Sequence, residues 1–311
     1  MPLFSREPTG LHALLHRPRP TAWSQFLASP CLFLARMLYT WRGPLPFTPP
    51  PDAVTIVCVS DTHNSQPALP PGDVLIHAGD LTQSGTLREL QAALDWLRAQ
   101  PHPVKIVVAG NHDRLLDRGH DGVGWVGAAQ AEVDRARLDW GGVVYLENES
   151  KEVTCANGRR LRVYGSPMTP RHGNWAFQYP RAEGGDVWAG RVPPATEVLV
   201  THGPPRAHLD LMRTGCEGLL REVWRVRPRL HVCGHVHEGA GREWLGFDGL
   251  QEAYERTVRE GGGWGNLVRV VVAVLRVVVR PRAEARGLIV NAAVVGGLRD
   301  DERRKPVTVV I

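Results

Sequence analysis

The stretch VTIVCVSDTHN at residues 54–64 decides the fold. Its first six residues are a β-branched run, too short for a helix and apolar enough for a strand buried on both faces, and the run stops at Ser60, Asp61 and His63. The same construction recurs four times. DVLIH at 73–77 runs into AGD at 78–80, VKIVV at 104–108 precedes GNHD at 110–113, EVLV at 197–200 meets THG at 201–203, and LHVC at 230–233 meets GHVH at 234–237. In open α/β sheets the loops leaving the carboxyl ends of strands form the ligand crevice. Five such strands therefore predict one shared site.

Seven side chains in these blocks carry metal-ligating groups: Asp61, His63, Asp80, Asn111, His202, His235 and His237. A carboxylate can bridge two cations, and imidazoles with an amide carbonyl fill the remaining positions, a mixture that suits Mn, Fe or Zn better than Ca or Mg. No cysteine belongs to the set, which argues against a structural zinc knot. Two ions about 3.5–4 Å apart form the arrangement that clamps attacking and leaving oxygens in displacement at phosphorus.

The ordered blocks resemble the calcineurin-like metallophosphoesterases, whose motifs run D-x-H, G-D, G-N-H-[DE], H and G-H-x-H. The surrounding runs, YGSPMTPRHGNWAFQYPR at 164–181, CGHVHEGAG at 233–241 and NAAVVGG at 291–297 among them, are similar to the metallophosphoesterase-domain branch, related to class III cyclic nucleotide phosphodiesterases. The resemblance covers roughly residues 54–311 and implies a four-layer α/β/β/α sandwich of two mixed sheets flanked by helices. It implies Asp61, His63 and His237 on a first metal, Asn111, His202 and His235 on a second, and Asp80 between them. It places His112 beside the leaving-group oxygen as a proton donor, with Asp113 as its orienting partner, since an imidazole presents one nitrogen best when the other is fixed. Close relatives in the branch often carry Glu where Asp113 stands.

Single residues outside the blocks are weaker signals. His77 and His231 lie inside apolar runs and read as packed residues rather than ligands. The implied reaction is hydrolysis of a small phosphoester by a metal-bridging hydroxide, with a phosphodiester such as a cyclic nucleotide preferred. A phosphomonoesterase or protein phosphatase would share every ligand, and a non-catalytic metal-stabilised scaffold is the alternative of a different class.

The chain of 311 residues is long enough for one α/β domain with extensions. We divide it into a basic, Pro-rich extension and linker at 1–52 and a catalytic domain at 53–311, with an insertion at 240–266. Net charge is +5, of which residues 1–50 contribute +4 through five Arg and the single acid Glu7. The remainder is nearly balanced, so a basic nucleic-acid groove is not expected. Five cysteines, at 31, 58, 155, 216 and 233, form no CxxC pair and point to a reducing, cytoplasmic setting.

Residues 22–42 hold an apolar patch interrupted by Pro30 and Arg36, too broken to span a membrane. Packing on the catalytic domain or flexible tethering, weak contact with a membrane surface, and a targeting role are its readings in that order. GPLPFTPPPD at 43–52 reads as a linker. Helical spacing predicts helices at 86–100, 128–140 and 216–226. The β-branched run LVRVVVAVLRVVV at 267–279 predicts one or two strands, and glycines 261–263 a flexible tip. The loop at 165–181, with Arg171, His172, Asn174, Trp175, Phe177 and Arg181, reads equally well as a substrate-selecting loop and as a structural one.

Overall fold

The computed structural model describes residues 21–43, 49–119, 127–279, 286–296 and 301–311. A five-stranded sheet is built from β1 (Thr55–Val59), β2 (Val74–Ala78), β3 (Val104–Val108), β4 (Val143–Tyr145) and β15 (Val307–Val310). Its order is β15-β1-β2-β3-β4, all parallel except β15. The second sheet holds six strands: β5 (Glu149–Thr154), β6 (Arg160–Ser166), β9 (Val198–Thr201), β10 (Leu230–Cys233), β11 (Gly241–Leu245) and β12 (Gly287–Asn291). Its order is β11-β12-β10-β9-β6-β5, with a parallel centre and antiparallel edges. Two small pairs complete the strands, β7 (Thr169–Pro170) with β8 (Gln178–Tyr179) and β13 (Val295–Gly296) with β14 (Glu302–Arg303).

The four layers follow from side-chain alternation along strands buried on both faces. Ile56, Cys58, Val74, Ile76, Ile106 and Val108 point between the sheets, where they meet Val163, Val198, Val200, Val232 and Val290. Their neighbours Val57, Val59, Leu75 and Val107 face outward onto α3 (Leu87–Arg98). That helix buries Leu90, Ala93, Leu94 and Leu97, and each of its leucines gains about 1.5–3 kcal/mol from leaving water. A capping box between Thr86 and Glu89 starts it. A further helix, α4 (Ala128–Ala136), places Ala131 in the same cluster. On the far side, Tyr164, Leu199, Cys233 and Ile289 meet α5 (Gly184–Trp188) and α6 (Glu217–Val226) through Trp188, Leu219 and Val223. The expected α/β/β/α sandwich is the observed one.

The last helical group corrects one reading of the sequence. Residues 267–279 are not strands but most of a 16-residue helix, α8 (Trp264–Val279). Leu267, Val270 and Ala273 recur at helical spacing and are buried against α2 (Pro30–Trp41) and α7 (Gly249–Arg259). Helix–helix packing outweighs the β preference of the valines, since that preference spans only about 1 kcal/mol. The stretch 240–266 supplies β11 and α7, and glycines 261–263 form the turn into α8. Pro30, which breaks the apolar patch in sequence, sits at the first turn of α2, after α1 (Ala22–Ala28). Tyr39 stacks on Tyr254 at 4.3 Å, and Arg42 pairs with Asp248 at 2.6 Å, so α2 is packed on the body of the protein. Residues 1–20 and the linker segment 44–48 lie outside the described residues. Among the described residues no helix is long and apolar enough to cross a membrane.

A buried ion network ties this group to the six-stranded sheet. His208 Nδ1 lies 2.7 Å from Glu243 of β11, and its Nε2 lies 2.8 Å from Glu255 of α7. Burial opposes charging the ring, but Glu243 and Glu255 outweigh it and raise the His208 pKa from 6.5 to about 10. The native state therefore holds a proton that the unfolded chain has released above its own pKa. The resulting stability is complete below pH 6.5 and declines as pH rises toward about 10. Thermal melts should show a falling Tm between pH 7 and pH 10. His208→Gln should flatten that decline, and an equally steep decline in the variant would assign it to other groups.

Candidate metal centre

The five polar blocks leave β1, β2, β3, β9 and β10 at one end of the two sheets. The turns cross between strands by main-chain bonds: Asp61 N–H donates to Gly79 O, His63 N–H to Asp80 O, and Gly234 N–H to His202 O. Asp61, His63, Asp80 and His235 all take positive φ, at 53°, 43°, 53° and 66°. Non-glycine residues hold such angles only where their surroundings compel them. Two glycines make room for the ligands. A Cβ on Gly110 would strike Asp80 and the His202 ring, and one on Gly234 would strike Ser60 and the Asp61 carboxylate.

All seven predicted ligands meet. Asp61, His63 and His237 converge in one group, Asp80, His202 and His235 in another, and His63, Asp80 and His112 in a third that overlaps them, with the ligand atoms of each group within 4.8 Å of one another. His63 Nε2 lies 3.3 Å from His237 Nε2, and His237 Nε2 lies 3.3 Å from Asp61 Oδ1. His202 Nε2 lies 3.3 Å from Asp80 Oδ2 and 3.0 Å from Asn111 Oδ1. Atoms held about 2.1 Å from one cation stand about 3.0–3.4 Å apart in octahedral or tetrahedral shells. The donor set and its spacings thus fit divalent metals, and Asp80 borders the first two groups, since its Oδ2 is also 3.9 Å from His63 Nε2.

Electrostatics agree with that fit. Burial keeps His63 and His235 low in pKa, the latter at about 3, so both rings are neutral with a lone pair to give. Burial works against ionising Asp61, but the His237 hydrogen bond and the His202 and His237 charges hold its pKa down at about 2. Asp80 is likewise lowered, against its burial, chiefly by His202. His202, also despite burial, is raised to about 9 by Asp80. A cation arriving there takes the place of that proton. The His202 Nδ1 is 2.9 Å from Ala78 O, which fixes the ring with Nε2 toward the cluster. His77 and His231 are buried against Thr62 and Thr201 at 3.0 and 2.8 Å and stay outside all three groups.

The structure corrects the partner expected for His112. Its Nδ1 lies 2.7 Å from the carbonyl of Gln83, and the ring is oriented by that carbonyl rather than by Asp113. Asp113 is fully buried and accepts from the N–H groups of Gly110, Leu81 and Thr82 and from the Thr82 hydroxyl. It shapes the turns that carry Asp80 and Asn111. Burial and the Asp80 charge raise its pKa to about 6.

The 165–181 loop divides between the two readings open to it. Phe177 is buried and Arg181 donates to the carbonyls of Thr214 and Gly215, which is structural work. Trp175, in contrast, stacks on His112 at 4.3 Å, and the Arg114 guanidinium lies 4.5 Å from the Trp175 ring. His172 meets His235 edge to face at 4.7 Å. The loop is tied down by Phe177 N–H to Asp117 and Ala176 N–H to Asn111 O. Sequence reasoning missed Arg114 and the Gln83 carbonyl as neighbours of the site. Arg114 directly follows GNHD and was within reach, whereas a main-chain acceptor leaves no signal in side-chain identity.

Fold and side-chain cluster together place the chain in a family. The calcineurin-like phosphoesterase family model matches residues 54–239, and the chain belongs to that family. Human metallophosphoesterase domain-containing protein 1 is 38% identical over 212 residues, covering 62% of this chain and 63% of that protein. A UPF0046 protein of Caenorhabditis elegans is 35% identical over 216 residues, covering 61% and 53%. A protein of Emericella nidulans named "Probable rhamnogalacturonate lyase C" is 44% identical over 309 residues, covering 97% of this chain and 29% of that protein. The chain spans less than two thirds of each of these relatives.

Because Asp80 borders both ligand groups, Asp80→Asn should lower the metal content of purified protein by at least one ion per chain. Plasma emission analysis would measure it, and full metal content in a folded variant would refute a role for this carboxylate in metal binding.

Proposed function

We propose that the protein hydrolyses small phosphodiesters, cyclic nucleotides among them, with two divalent ions of Mn, Fe or Zn. Asp61, His63 and His237 would hold one ion, Asn111, His202 and His235 the other, and Asp80 both. When bound, such a pair neutralises phosphoryl oxygens and makes water a nucleophile near neutral pH.

The chain's own residues supply orientation and the leaving-group proton. His112 is fixed at Nδ1 by the Gln83 carbonyl and clamped on one face by Trp175, while its main-chain N–H donates to Asp80 Oδ1 at 2.8 Å. Because the Gln83 carbonyl accepts from Nδ1–H, Nε2 donates a proton to a departing alkoxide from the imidazolium form, and the transfer leaves the neutral ring with its Nδ1–H still bonded to that carbonyl. The strained turns and the carbonyl bonds keep these groups from relaxing when charge develops, so little reorganisation is needed during reaction.

The observation that favours a diester is the engagement of one guanidinium group beside the cluster, that of Arg304. Arg304 donates to the main-chain carbonyls of His237 and Val295, whereas Arg114, stacked on Trp175, keeps its Nε–H without a hydrogen-bond partner among the described residues. A diester brings one negative charge, whereas a monoester carries close to two at neutral pH and favours an additional cation. A phosphomonoesterase remains the second reading because it would use the same ligands.

With Mn supplied, bis-aryl phosphates and cyclic nucleotides should turn over faster than mono-aryl phosphates. A strong monoester preference would overturn the diester assignment. His112→Asn should lower kcat by about a hundredfold or more on substrates with poor leaving groups, with metal content unchanged. An undiminished kcat would remove His112 from proton donation.

A further inference from the structure

Helix α8 is apolar on two opposite faces. One stripe, Leu267, Val270 and Ala273, is buried against α2 and α7. A second stripe has no partner among the described residues: Trp264, Val268, Val271, Leu275, Val278 and Val279 are exposed, Leu275 by 59% and Val279 by 76%. Their spacing of three and four places them along one side of the helix. A monomeric surface scatters such residues singly, and a contiguous row marks an interaction site.

Charge selects the occupant. The ionisable side chains of α8 are Arg269 and Arg276, both exposed, and residues 261–283 contain no Asp or Glu. The neighbouring helices α1 and α2 show the same bias. Residues 8–51 also contain no acid, and Trp23, Leu27, Arg36, Met37 and Trp41 are exposed there. A two-fold contact between copies through this stripe would place α8 against α8, bringing arginines to arginines with no carboxylate on the helix to answer them. An anionic lipid surface answers both features: headgroups pair with the arginines, valine and leucine enter the acyl boundary, and tryptophan suits the interface between them. At 16 residues, about 24 Å, the helix is long enough to lie along such a surface, and among the described residues no helix is long and apolar enough to cross a membrane.

We propose that the exposed face of α8, with α1 and α2 beside it, docks the protein peripherally on membranes bearing anionic phospholipid. The face is separate from the metal centre and the proposal stands apart from the hydrolytic reading. Full-length protein should co-sediment with phosphatidylcholine vesicles containing about one third phosphatidylserine, more weakly with phosphatidylcholine alone, and less as salt rises. Arg269→Gln with Arg276→Gln should weaken binding to the anionic vesicles by about ten- to thirtyfold. Val268→Ser with Leu275→Ser should weaken it by about tenfold or more. These side chains are solvent-exposed, so folding and phosphoesterase activity should persist, and Val133→Ser on α4, equally exposed, should leave binding intact. No co-sedimentation of the wild type, or binding unaffected in both double variants, would overturn the proposal. So would a wild-type dimer in solution that Val268→Ser with Leu275→Ser makes monomeric, because a second copy would then occupy the face.

Discussion

The Asp80 carboxylate, buried at the end of β2, is the constraint around which the site is arranged. Its Oδ1 accepts the main-chain N–H of His112, and its Oδ2 faces His202 and, farther off, His63. Every one of these groups comes from a different strand end, and His202 arrives from the opposite sheet. A charge in such a place is tolerated only with dense compensation. The compensation is the histidine array, and the same array is what makes the cluster a candidate metal centre.

Holding that array requires backbone that ordinary turns would not adopt. Left-handed conformations at Asp61, His63, Asp80 and His235 and the close approaches of Gly110 and Gly234 sit where the sheets end. The apolar layers beneath them are rigid enough to impose the strain. Asp113 has a related task, gathering three main-chain N–H groups and a hydroxyl so that two ligand-bearing turns stay in register. It acts through the turns, without touching the His112 ring in the hydrogen-bond pattern seen here.

Much of this was legible in residue order. The strands at 55–59, 74–78, 104–108, 198–201 and 230–233 follow the apolar runs almost residue for residue, because each run is short, β-branched and bounded by turn or polar residues. Helix α3 was equally clear from its leucine stripe and its cap. Helix α8 was not, because valine density is the same in a buried strand and in a helix apolar on two faces. Only the presence of α2 and α7 at the right distance decides between them. The 165–181 loop was undecided for a comparable reason: an aromatic side chain looks alike whether it enters a core, as Phe177 does, or stacks on an imidazole at the cluster, as Trp175 does on His112.

Resemblance to the family supplied the layer order; the sequence by itself determined the seven candidate ligands, the strand ends that carry them and the alternation of strands and helices. Each rests on side-chain chemistry or on short-range periodicity, and both are written locally. Tertiary structure decided the orientation of His112 by the Gln83 carbonyl, the seating of Trp175 and Arg114 against it, and the state of residues 264–279. Those outcomes depend on main-chain groups and on neighbours distant in the chain. A main-chain carbonyl is the same in every residue, and packing at long range has no signature until the layers close.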